Sequence, residues 1–459
     1  MIPAEWRTGE VAVIGLGKSG RGAARLLERD HVMVYVSDAA DSEALREAAR
    51  ALARVRIAVD VGQHDLERIA RARAVVVSPG VPPEAPPLTV ARAAGVPILS
   101  EIEIGLLAMP DTRVIAVTGT NGKTTTTALV GHLLRALGED AVDGGNIGTP
   151  LTEIALRDRH PSWIALEMSS FQLHDTPAIA PAVGVVTNLS PDHLDRYASV
   201  EQYYADKALL FRNATNESRW VLNADDPETL RLHQRAGLSR LPGTTFTFSL
   251  RERADAWYDR ARGQLVVLDQ PILSRAELSL LGDHNVANAL AASLAVAVAQ
   301  GRERMDRGAL AAGLRSFRAL AHRLEIVGEF AGVTWINDSK ATNVSSTLVA
   351  IGGMTRPTVL LLGGRHKGEP YTALAEPLRK VGKAVIAYGE AGPLIADDLE
   401  GVVRVERLGS SFDEVMARAR VLAEPGDVVL LSPACSSYDM FNNYEERGAA
   451  FRRLAANGR

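Results

Sequence analysis

The chain has 459 residues, and its content of 46% hydrophobic and 23% charged residues is typical of a folded globular protein with about three domains. Its 51 basic and 55 acidic residues give a net charge of −4, which argues against nucleic acid or an anionic membrane as a partner. The most apolar stretch, residues 287–299, is too short to span a bilayer, and the first residues lack the pattern of a secretory leader. We therefore expect a cytoplasmic protein without membrane insertion. The single cysteine, Cys435, excludes an internal disulfide framework and a thiolate metal cluster.

The first part of the chain alternates strand and helix patterns, which predicts a parallel sheet with right-handed crossovers. The predicted strands are residues 11–14, 32–36 and 74–77. The loops at their carboxyl ends, where such sheets bind ligands, are residues 15–20, 37–38 and 78–80. The first loop reads Gly15-Leu-Gly-Lys-Ser-Gly20, and Asp38 follows eighteen residues later, where an acidic residue can receive a ribose or base hydrogen bond. We expect a nucleotide here, although a tight turn that needs glycine leaves the same pattern.

The most specific motif is Thr118-Gly-Thr-Asn-Gly-Lys-Thr124, between an apolar run and a helical stretch. A glycine-rich turn at this position leaves backbone N–H groups at the start of a helix, where they and the helix dipole hold phosphate oxygens. Lys123 can then meet the outer phosphates of a nucleoside triphosphate, and Thr124 a magnesium ion. Gly119 and Gly122 are three residues apart, whereas the common P-loop spacing is five. The alternative is a tight turn with a solvated lysine.

The central part continues with further predicted strands at residues 163–166, 183–186 and 220–222, a β-leaning region at 244–281 and a long Ala-rich helix from Asn285. Glu167 follows the first of these strands, at the same sheet edge as the phosphate turn. It is a candidate magnesium ligand, because magnesium shares the substrate's phosphate oxygens and takes few protein carboxylates. The alternative is an exposed strand-end carboxylate. His193 follows the next strand, in a loop at this edge, and such loops often hold functional groups.

Lys207 lies on a predicted helix over residues 200–212, on a face that also carries Tyr203 and Leu210. Burial lowers the pKa of a lysine, and the resulting neutral amine can take up carbon dioxide to form a carbamate, a negatively charged metal ligand. The alternative is an amine that snorkels to solvent, which from the spacing alone is the more common outcome.

The third part opens near Arg318 and alternates again, which predicts a second open parallel sheet. Its predicted strands are residues 334–336, 359–362, 384–387 and 428–431. A dense polar run follows the first of them, in which Asp338 can orient ATP phosphates through a metal or water and Lys340 can neutralise charge near an oxyanion.

Three further side chains emerge from the same predicted edge: Lys367, Ser437 and Tyr444. A positive charge with hydroxyl groups suits a small substrate that carries carboxylates. Each of them alone is more often a solvated surface group, so only their convergence at one edge indicates a binding site. Cys435 has no histidine base in its segment, so we expect no thiol nucleophile.

In chain order these motifs resemble those of the Mur ligases of peptidoglycan synthesis, and the resemblance covers essentially the whole chain. Besides the phosphate turn its marks are Gly144-Gly-Asn-Ile-Gly148, Glu167-Met-Ser-Ser-Phe-Gln-Leu173, Asp192-His-Leu-Asp-Arg-Tyr197, His284-Asn-Val-Ala-Asn-Ala289, Asn337-Asp-Ser-Lys-Ala-Thr-Asn343 and Ser432-Pro-Ala-Cys-Ser-Ser437. The resemblance implies an α/β fold of three domains. They are a Rossmann-like UDP-sugar-binding domain at 1–107, a central P-loop ATPase-like domain with a small β region at 108–317, and a C-terminal Rossmann-like domain at 318–459 that binds the amino acid and closes on ATP.

The resemblance also implies a reaction, the ATP-dependent amide formation between UDP-N-acetylmuramoyl-L-alanine and D-glutamate through an acyl phosphate. The implied ATP-binding residues are Gly119, Thr120, Asn121, Gly122, Lys123, Thr124, Thr125, Thr126, Asn285, Arg323 and Asp338. The implied ligands of two magnesium ions are Thr124 and Glu167 for the first, and His193 with a carbamylated Lys207 for the second. The implied catalytic residues are Lys123, Glu167, His193, Lys207, Asp338 and Lys340. We expect the enzyme to act as a monomer.

The implied substrate contacts come from all three domains. They are Lys18, Ser19, Asp38 and Gly80 near the uridine end, Asn146 and His193 near the sugar and peptide, and Thr342, Lys367, Ser437 and Tyr444 around D-glutamate. Two of these positions depart from relatives of this family, since Lys18 replaces a leucine and Tyr444 a phenylalanine. The segment between His193 and Lys207 is also one residue shorter than in a well-known relative.

Other functions remain open at the level of sequence. A nicotinamide-dependent oxidoreductase would use Gly15, Gly17, Gly20 and Asp38, but it leaves the second phosphate turn unexplained. An ATP-dependent assembly switch would close its domains on a protein partner. Folylpolyglutamate synthases share the last two domains but lack the first, and the relative that adds diaminopimelate or lysine carries Asp-Asn-Pro-Arg where this chain has the run around Asp338.

Overall fold

The computed structural model describes residues 2–192, 196–301 and 305–457, which form three β-sheets with flanking helices. The chain divides into two compact units, the first made of Met1–Glu277 and Ala287–Ser316 and the second of Leu278–Val286 and Phe317–Arg459. The first unit holds two of the sheets, and the second unit holds the third. None of the helices in the described residues is long and apolar enough to cross a membrane.

The first sheet has five parallel strands in the order β3-β2-β1-β4-β5. The strands are β1 Glu10–Ile14, β2 Met33–Asp38, β3 Ala58–Val61, β4 Ala74–Val77 and β5 Ile98–Ser100. The helices between and after them are α1 Lys18–Arg29, α2 Glu43–Ala53, α3 Leu66–Ala70, α4 Pro86–Ala93 and α5 Glu101–Ala108. This confirms the predicted parallel sheet and adds two strands, β3 and β5, that the sequence analysis did not predict.

The second sheet has nine strands in the order β14-β13-β12-β11-β10-β9-β6-β8-β7. Its strands are β6 Arg113–Thr118, β7 Ala141–Gly145, β8 Trp163–Glu167, β9 Val183–Val186, β10 Arg219–Asn223, β11 Thr244–Ser249, β12 Ala256–Asp259, β13 Gln264–Val267 and β14 Gln270–Ser274. Only the pairs formed by β12 with β13 and by β13 with β14 are antiparallel, so the predicted β region extends a parallel sheet. The strand before the phosphate turn, β6, lies between β8 and β9, which brings the carboxyl ends of these three strands together.

The helices that follow the first five in chain order are α6 Lys123–Ala136, α7 Leu151–Ala155, α8 Ser170–His174, α9 Val200–Ala208, α10 Pro227–Arg235, α11 Asp283–Gln300 and α12 Arg307–Ser316. Helix α9 is shorter than the predicted helix at 200–212, because a 3-10 turn over Leu209–Phe211 replaces its end.

The third sheet has six strands in the order β15-β16-β20-β17-β18-β19, and all pairs except that of β15 with β16 are parallel. Its strands are β15 Glu325–Phe330, β16 Val333–Asn337, β17 Thr358–Gly363, β18 Gly382–Tyr388, β19 Val405–Arg407 and β20 Val428–Leu431. Its helices are α13 Val344–Gly352, α14 Ala375–Val381, α15 Gly392–Asp398, α16 Phe412–Leu422 and α17 Tyr444–Ala456. The second predicted open sheet is confirmed, with an antiparallel edge strand added.

The third sheet is buried on both faces, as strand β17 illustrates. Val359 and Leu361 point into the core on one face, and Leu360 and Leu362 into the core on the other. Side chains alternate across a strand, so only a continuous apolar run can fill two cores at once. Burying each such side chain contributes about 1.5–3 kcal/mol, which gives the polar loops at the carboxyl edge a rigid support.

Each sheet lies within one of the three ranges predicted as domains, 1–107, 108–317 and 318–459. Residues 278–286, which precede and begin helix α11, belong to the second unit, together with the third sheet. The domain boundaries themselves stay a prediction.

Candidate active site

The phosphate turn between β6 and α6 needs glycine at two positions. Gly119 has a φ of 139° and Gly122 a φ of 81°, both in the left-handed region that other residues avoid. A Cβ on Gly122 would come within 2.4 Å of Asn288 Oδ1, and a Cβ on Gly119 within 2.0 Å of Thr187 Oγ1. Gly122 is the N-cap of α6 and, as a glycine, gives no side-chain cap to this helix. The start of α6 is therefore a local site for an anion.

The loop after β9 holds the phosphate turn in place. Asn188 Oδ1 accepts a hydrogen bond from Asn121 N at 2.9 Å, and Thr187 Oγ1 donates one to Asn121 O at 2.6 Å. Thr120 Oγ1 donates to Ser190 O at 3.0 Å. The turn is thus preorganised by a neighbouring loop.

Two lysine amines converge on the carbonyl oxygen of Gly119. Lys123 Nζ donates to Gly119 O at 3.0 Å and to Thr120 O at 2.7 Å, and Lys207 Nζ donates to Gly119 O at 2.7 Å. Lys207 is only 1% exposed, so its amine does not snorkel to solvent. Burial, with the nearby charge of Lys123 as a second cause, holds the pKa of Lys207 well below its ordinary value.

Glu167, at the end of β8, is buried with half of its carboxylate satisfied. Its Oε1 accepts a hydrogen bond from Asn146 Nδ2 at 2.9 Å, whereas its Oε2 is buried without a hydrogen-bond partner in the described part of the chain. A buried carboxylate oxygen without a partner costs free energy, and a bound cation would remove that cost. Its charge also acts on the pKa of Lys207, so the two groups are near each other.

These residues fit a magnesium ion bound mainly through its substrate. No group of three or more His, Cys, Asp or Glu side chains gathers as a metal site in residues 2–192, 196–301 and 305–457. Magnesium does not need such a group, because it keeps waters and shares phosphate oxygens. Thr124 and Thr125 lie half-buried in the first turn of α6, and Thr126 Oγ1 donates to Asn288 Oδ1 at 3.2 Å. His193, a predicted ligand of the second ion, lies outside the described residues.

The three loops predicted to meet at the edge of the first sheet do meet. Gly15 N donates to Ser37 O at 2.8 Å, and Ser78 Oγ donates to Gly15 O at 3.3 Å. Asp38 Oδ2 accepts from Leu16 N at 2.8 Å and its Oδ1 accepts from Ala40 N at 2.9 Å, so this carboxylate also stabilises the loops. Lys18 and Gly80 are exposed and Ser19 is half-buried around the same edge.

A cavity of about 220 Å³ opens beside this edge, within the first unit. It is lined by Val77, Ser78, Pro79, Val81, Pro83, Leu88, Arg92, Ser100, Glu101, Ile102, Phe171, Gln172, His174, Asp175, Arg196, Tyr197 and Asp206. The cavity joins the loop before Gly80 to helix α8, which begins three residues after Glu167. The sequence analysis did not assign this space.

In the second unit, Asp338 is a buried carboxyl group held by two donors. Leu324 N donates to its Oδ1 at 3.2 Å, and Ser432 Oγ donates to its Oδ2 at 2.8 Å. Burial raises the pKa of Asp338 to about 7, although these hydrogen bonds and the charge of Arg323 oppose the rise. Asn285 Nδ2 donates to Leu281 O at 2.8 Å. Since Lys123 belongs to the other unit, a common ATP site for these residues stays a prediction.

Three of the four residues predicted to bind D-glutamate make side-chain contacts with predicted site residues at the carboxyl edge of the third sheet. Lys367 Nζ donates to Thr342 Oγ1 at 3.4 Å, and Lys340 Nζ lies 3.8 Å from the centre of the Tyr444 ring. Ser437 lies buried in the loop after β20. The third sheet therefore brings lysines and hydroxyl groups from three of its loops to one edge, as predicted from the sequence.

Comparison with known proteins places this chain in a family. Residues 9–100 match the family model of the N-terminal domain of MurD-like Mur ligases, 117–296 that of the Mur ligase middle domain, and 322–435 that of the Mur ligase glutamate ligase domain. A protein of Acidobacterium capsulatum named UDP-N-acetylmuramoylalanine–D-glutamate ligase is 41% identical over 97% of this chain and 95% of its own. A protein of Anaeromyxobacter dehalogenans with the same name is 41% identical over 99% of both chains.

The chain belongs to the Mur ligase family. Solved Mur ligase structures have the same fold: UDP-N-acetylmuramate-alanine ligase MurC of Thermotoga maritima superposes with a TM-score of 0.61 at 19% identity, covering 98% of this chain and all of its own. MurF ligase of Thermotoga maritima gives a TM-score of 0.59 at 18% identity, covering 93% of this chain and 96% of its own.

The sequence did not predict three residues of this Mur ligase: two contact predicted site residues, and the third, Arg447, contacts their neighbours in sequence. Asn288 packs against Gly122, and its position three residues after Asn285 on a helix was a usable signal. The Tyr203 ring lies 4.6 Å from Lys207 Nζ, and its hydroxyl is 3.3 Å from Thr120 Oγ1. Arg447 gave no signal, because it follows two glutamates and resembles the exposed charged face of a helix.

Proposed function

We propose that this Mur ligase joins D-glutamate to UDP-N-acetylmuramoyl-L-alanine with hydrolysis of ATP, in a cytoplasmic step of peptidoglycan synthesis. The observation that carries the proposal is the identity of 37–41% with proteins named for this activity, over nearly the full length of the chain. Lys123 at the phosphate turn and the buried carboxylate of Glu167 support it, because phosphoryl transfer requires a positive charge on the phosphates and a ligand for magnesium.

The chemical problem is that a carboxylate is a poor electrophile. The alanyl carboxylate of the first substrate attacks the γ-phosphorus of ATP, the bond to the β,γ-bridging oxygen breaks, and an acyl phosphate and ADP form. The amine of D-glutamate then attacks the acyl carbon through a tetrahedral intermediate. Inorganic phosphate leaves, the nitrogen loses a proton, and the amide remains.

The first unit would bind the triphosphate and stabilise its transfer. Lys123 would exchange the carbonyls of Gly119 and Thr120 for the outer phosphates. The backbone N–H groups and the dipole at the start of α6 would also bind these phosphates. Glu167 Oε2 and the Thr124 hydroxyl would hold a magnesium ion, which neutralises charge on the phosphates when bound. The other residues of the predicted ATP-binding turn are Gly119, Thr120, Asn121, Gly122, Thr125 and Thr126.

Lys207 is proposed to act as a carbamate. Its neutral amine would add to carbon dioxide and release one proton, which converts a buried donor into an anion. With His193 this anion would hold a second magnesium ion. The depressed pKa and the 1% exposure of Lys207 support the proposal, since a protonated ammonium group has no lone pair to react.

The remaining roles follow the division of the chain. Uridine nucleotide would lie at the loops with Lys18, Ser19, Asp38 and Gly80, and the sugar and peptide near Asn146 and His193. Asn285, Arg323 and Asp338 would complete the ATP site, and Lys340 would face the developing oxyanion. D-glutamate would be bound by Thr342, Lys367, Ser437 and Tyr444. The active form would be the monomer.

A phosphate-release assay tests the proposal. Purified protein with ATP, magnesium and UDP-N-acetylmuramoyl-L-alanine should release phosphate with D-glutamate and much more slowly with L-glutamate. Lys123→Ala should lose this release, whereas Lys380→Ala, a change in an exposed ion pair, should keep it. Phosphate release that ignores both substrates, or a change in nicotinamide absorbance without ATP, would overturn the proposal.

A further inference from the structure

Arg447 is enclosed to an extent that is rare for an arginine. It lies in the first turn of α17 and is only 1% exposed. None of the carboxylates in the described residues forms an ion pair with it. A buried charge without a counter-ion costs free energy, and the partial positive charge at the start of a helix adds to that cost. Some other interaction must therefore explain why an arginine stands here.

The guanidinium group is held by four hydrogen bonds to neutral oxygens. Its Nε donates to Ser339 Oγ at 3.0 Å, and its Nη2 donates to Ser339 O at 2.9 Å and to Cys435 O at 3.1 Å. Its Nη1 donates to Gly363 O at 3.4 Å. A planar group with donors on several edges can bridge separate segments in this way, which the ammonium group of lysine cannot do.

The three partners of Arg447 belong to three different loops. Ser339 lies in the loop after β16, Gly363 ends β17, and Cys435 lies in the loop after β20. These strands are neighbours in the third sheet, in the order β16-β20-β17. One side chain thus joins three adjacent loops at the carboxyl edge of the sheet.

The residues assigned to D-glutamate lie close in sequence to this junction. Each of the four is two to four residues from Arg447 or from one of its partners: Thr342 after Ser339, Lys367 after Gly363, Ser437 after Cys435, and Tyr444 before Arg447. Ser339 Oγ, which accepts from Arg447, also donates to Tyr444 O at 2.8 Å. A shift of the guanidinium group would therefore move every loop that carries an assigned contact.

We infer that Arg447 is a positioning residue for the amino-acid substrate: it fixes three loops whose side chains bind D-glutamate, and it does not touch the substrate itself. The inference rests on the proposed function, because the proposed function supplies the assignment of these loops to the amino-acid substrate. The free-energy cost of burying the charge of Arg447 is offset by a preorganised site, since loops that are already fixed lose little entropy when the ligand binds.

A kinetic test separates positioning from general stability. Arg447→Lys keeps the charge but cannot span three loops, so KM for D-glutamate should rise by about tenfold or more, as expected for displaced substrate contacts. KM for the uridine substrate should change by less than about twofold, because the residues assigned to it lie in the first unit and Arg447 in the second. The matched control is Arg453→Lys, an exposed arginine on the same helix, which should leave both constants unchanged.

A milder variant covers the case in which Arg447→Lys does not fold. Ser339→Ala removes the acceptor of Nε and the donor to Tyr444 O but keeps the charge and the other three bonds of the guanidinium group. It should raise KM for D-glutamate by a smaller factor while the thermal midpoint stays near that of the wild type.

The inference is overturned if a folded Arg447→Lys variant keeps the wild-type KM for D-glutamate, or if both KM values rise together. A folded Ser339→Ala variant with wild-type KM for D-glutamate also counts against it. Failure of the proposed function is a different result: the wild-type protein would then release no phosphate in response to D-glutamate.

Discussion

At the residue scale, the most unusual feature is the pair of lysine amines at Gly119 O. Two ammonium groups that share one carbonyl repel each other, and burial adds to the cost of the charge on Lys207. Deprotonation of Lys207 relieves both costs, which explains why its pKa is lowered. The same geometry that disfavours an ammonium group thus favours the nucleophilic amine that a carbamate requires.

Replacement of this lysine tests the carbamate. Lys207→Ala should lower kcat by about a hundredfold or more, because the loss of an anionic metal ligand removes charge stabilisation from phosphoryl transfer. Formate or acetate should restore part of the activity by filling the vacated space as a carboxylate. Lys207→Arg is the matched control: it fills the space with a positive charge that cannot form a carbamate, and its activity should respond to neither acid. Full activity of Lys207→Ala without added acid would exclude the carbamate.

Asp338 should make stability depend on pH. Its pKa is about 7 in the folded protein, above the ordinary value of 3.8, so the folded state binds a proton that the unfolded state releases between these values. This group therefore stabilises the protein at low pH, and its contribution is lost as pH rises from about 4 to 7, by at most about 1.4 kcal/mol per pH unit.

Urea unfolding of the wild type and Asp338→Asn at pH 5, 6, 7 and 8 measures this contribution. The asparagine cannot titrate. The free energy of unfolding of the wild type should therefore fall relative to that of Asp338→Asn from pH 5 to 7, and the difference between the two should be constant above pH 7. A difference that is constant over this range would mean that Asp338 is ionised throughout, and that its two donors outweigh burial.

At the element scale, three helices of the first unit pack with almost no space between them. A Cβ on Gly22 of α1 would come within 2.4 Å of Thr152 Oγ1, and a Cβ on Gly105 of α5 within 2.5 Å of Leu151 Cβ. Glu101 Oε1 accepts from both Thr152 N and Thr152 Oγ1 at 2.6 Å. Helix α7 is thus held by contacts that depend on small side chains and on one buried carboxylate.

A larger side chain at this junction should be destabilising. Gly105→Val places methyl groups against Leu151, whose backbone cannot move without shifting α7, so the free energy of unfolding should fall by about 1–3 kcal/mol. Gly352→Val is the control, because nothing lies within 4 Å of a Cβ at that helical position. Urea denaturation of the two variants compares them directly. Equal stability of both variants would show that α5 and α7 can separate without cost.

One physical cause explains why five strands were not predicted from the sequence. They are β3, β5, β7, β15 and β19, and all of them lie at the edges of their sheets. An edge strand is covered less completely than a central one, so it needs no continuous apolar run: β3 is half-buried at every residue, and β7 ends in two glycines. The central strands β1, β6, β17 and β20 were predicted because burial on both faces demands such a run.

At the scale of the whole molecule, the predicted site residues divide into those that local pattern can find and those that it cannot. The phosphate turn and Glu167 follow central strands, so their position at a sheet edge was predictable. The burial of Lys207 was left open, because a helix pattern gives a face but not what covers it. Arg447 could not be predicted, since its partners are three backbone oxygens and one serine hydroxyl that lie 12, 84 and 108 residues away in sequence.

The last prediction concerns the two compact units. Lys123 lies in one and Arg323 in the other, and both are assigned to the same nucleotide. If that assignment is right, ATP can bind fully only when groups from both units reach it, and water must be kept from the acyl phosphate. The radius of gyration from small-angle scattering should therefore fall when a nonhydrolysable ATP analogue and the uridine substrate are added together. Arg323→Ala should still bind the uridine substrate but show no such change. A wild-type profile that is the same with and without saturating ligands would mean that Lys123 and Arg323 do not bind the same nucleotide.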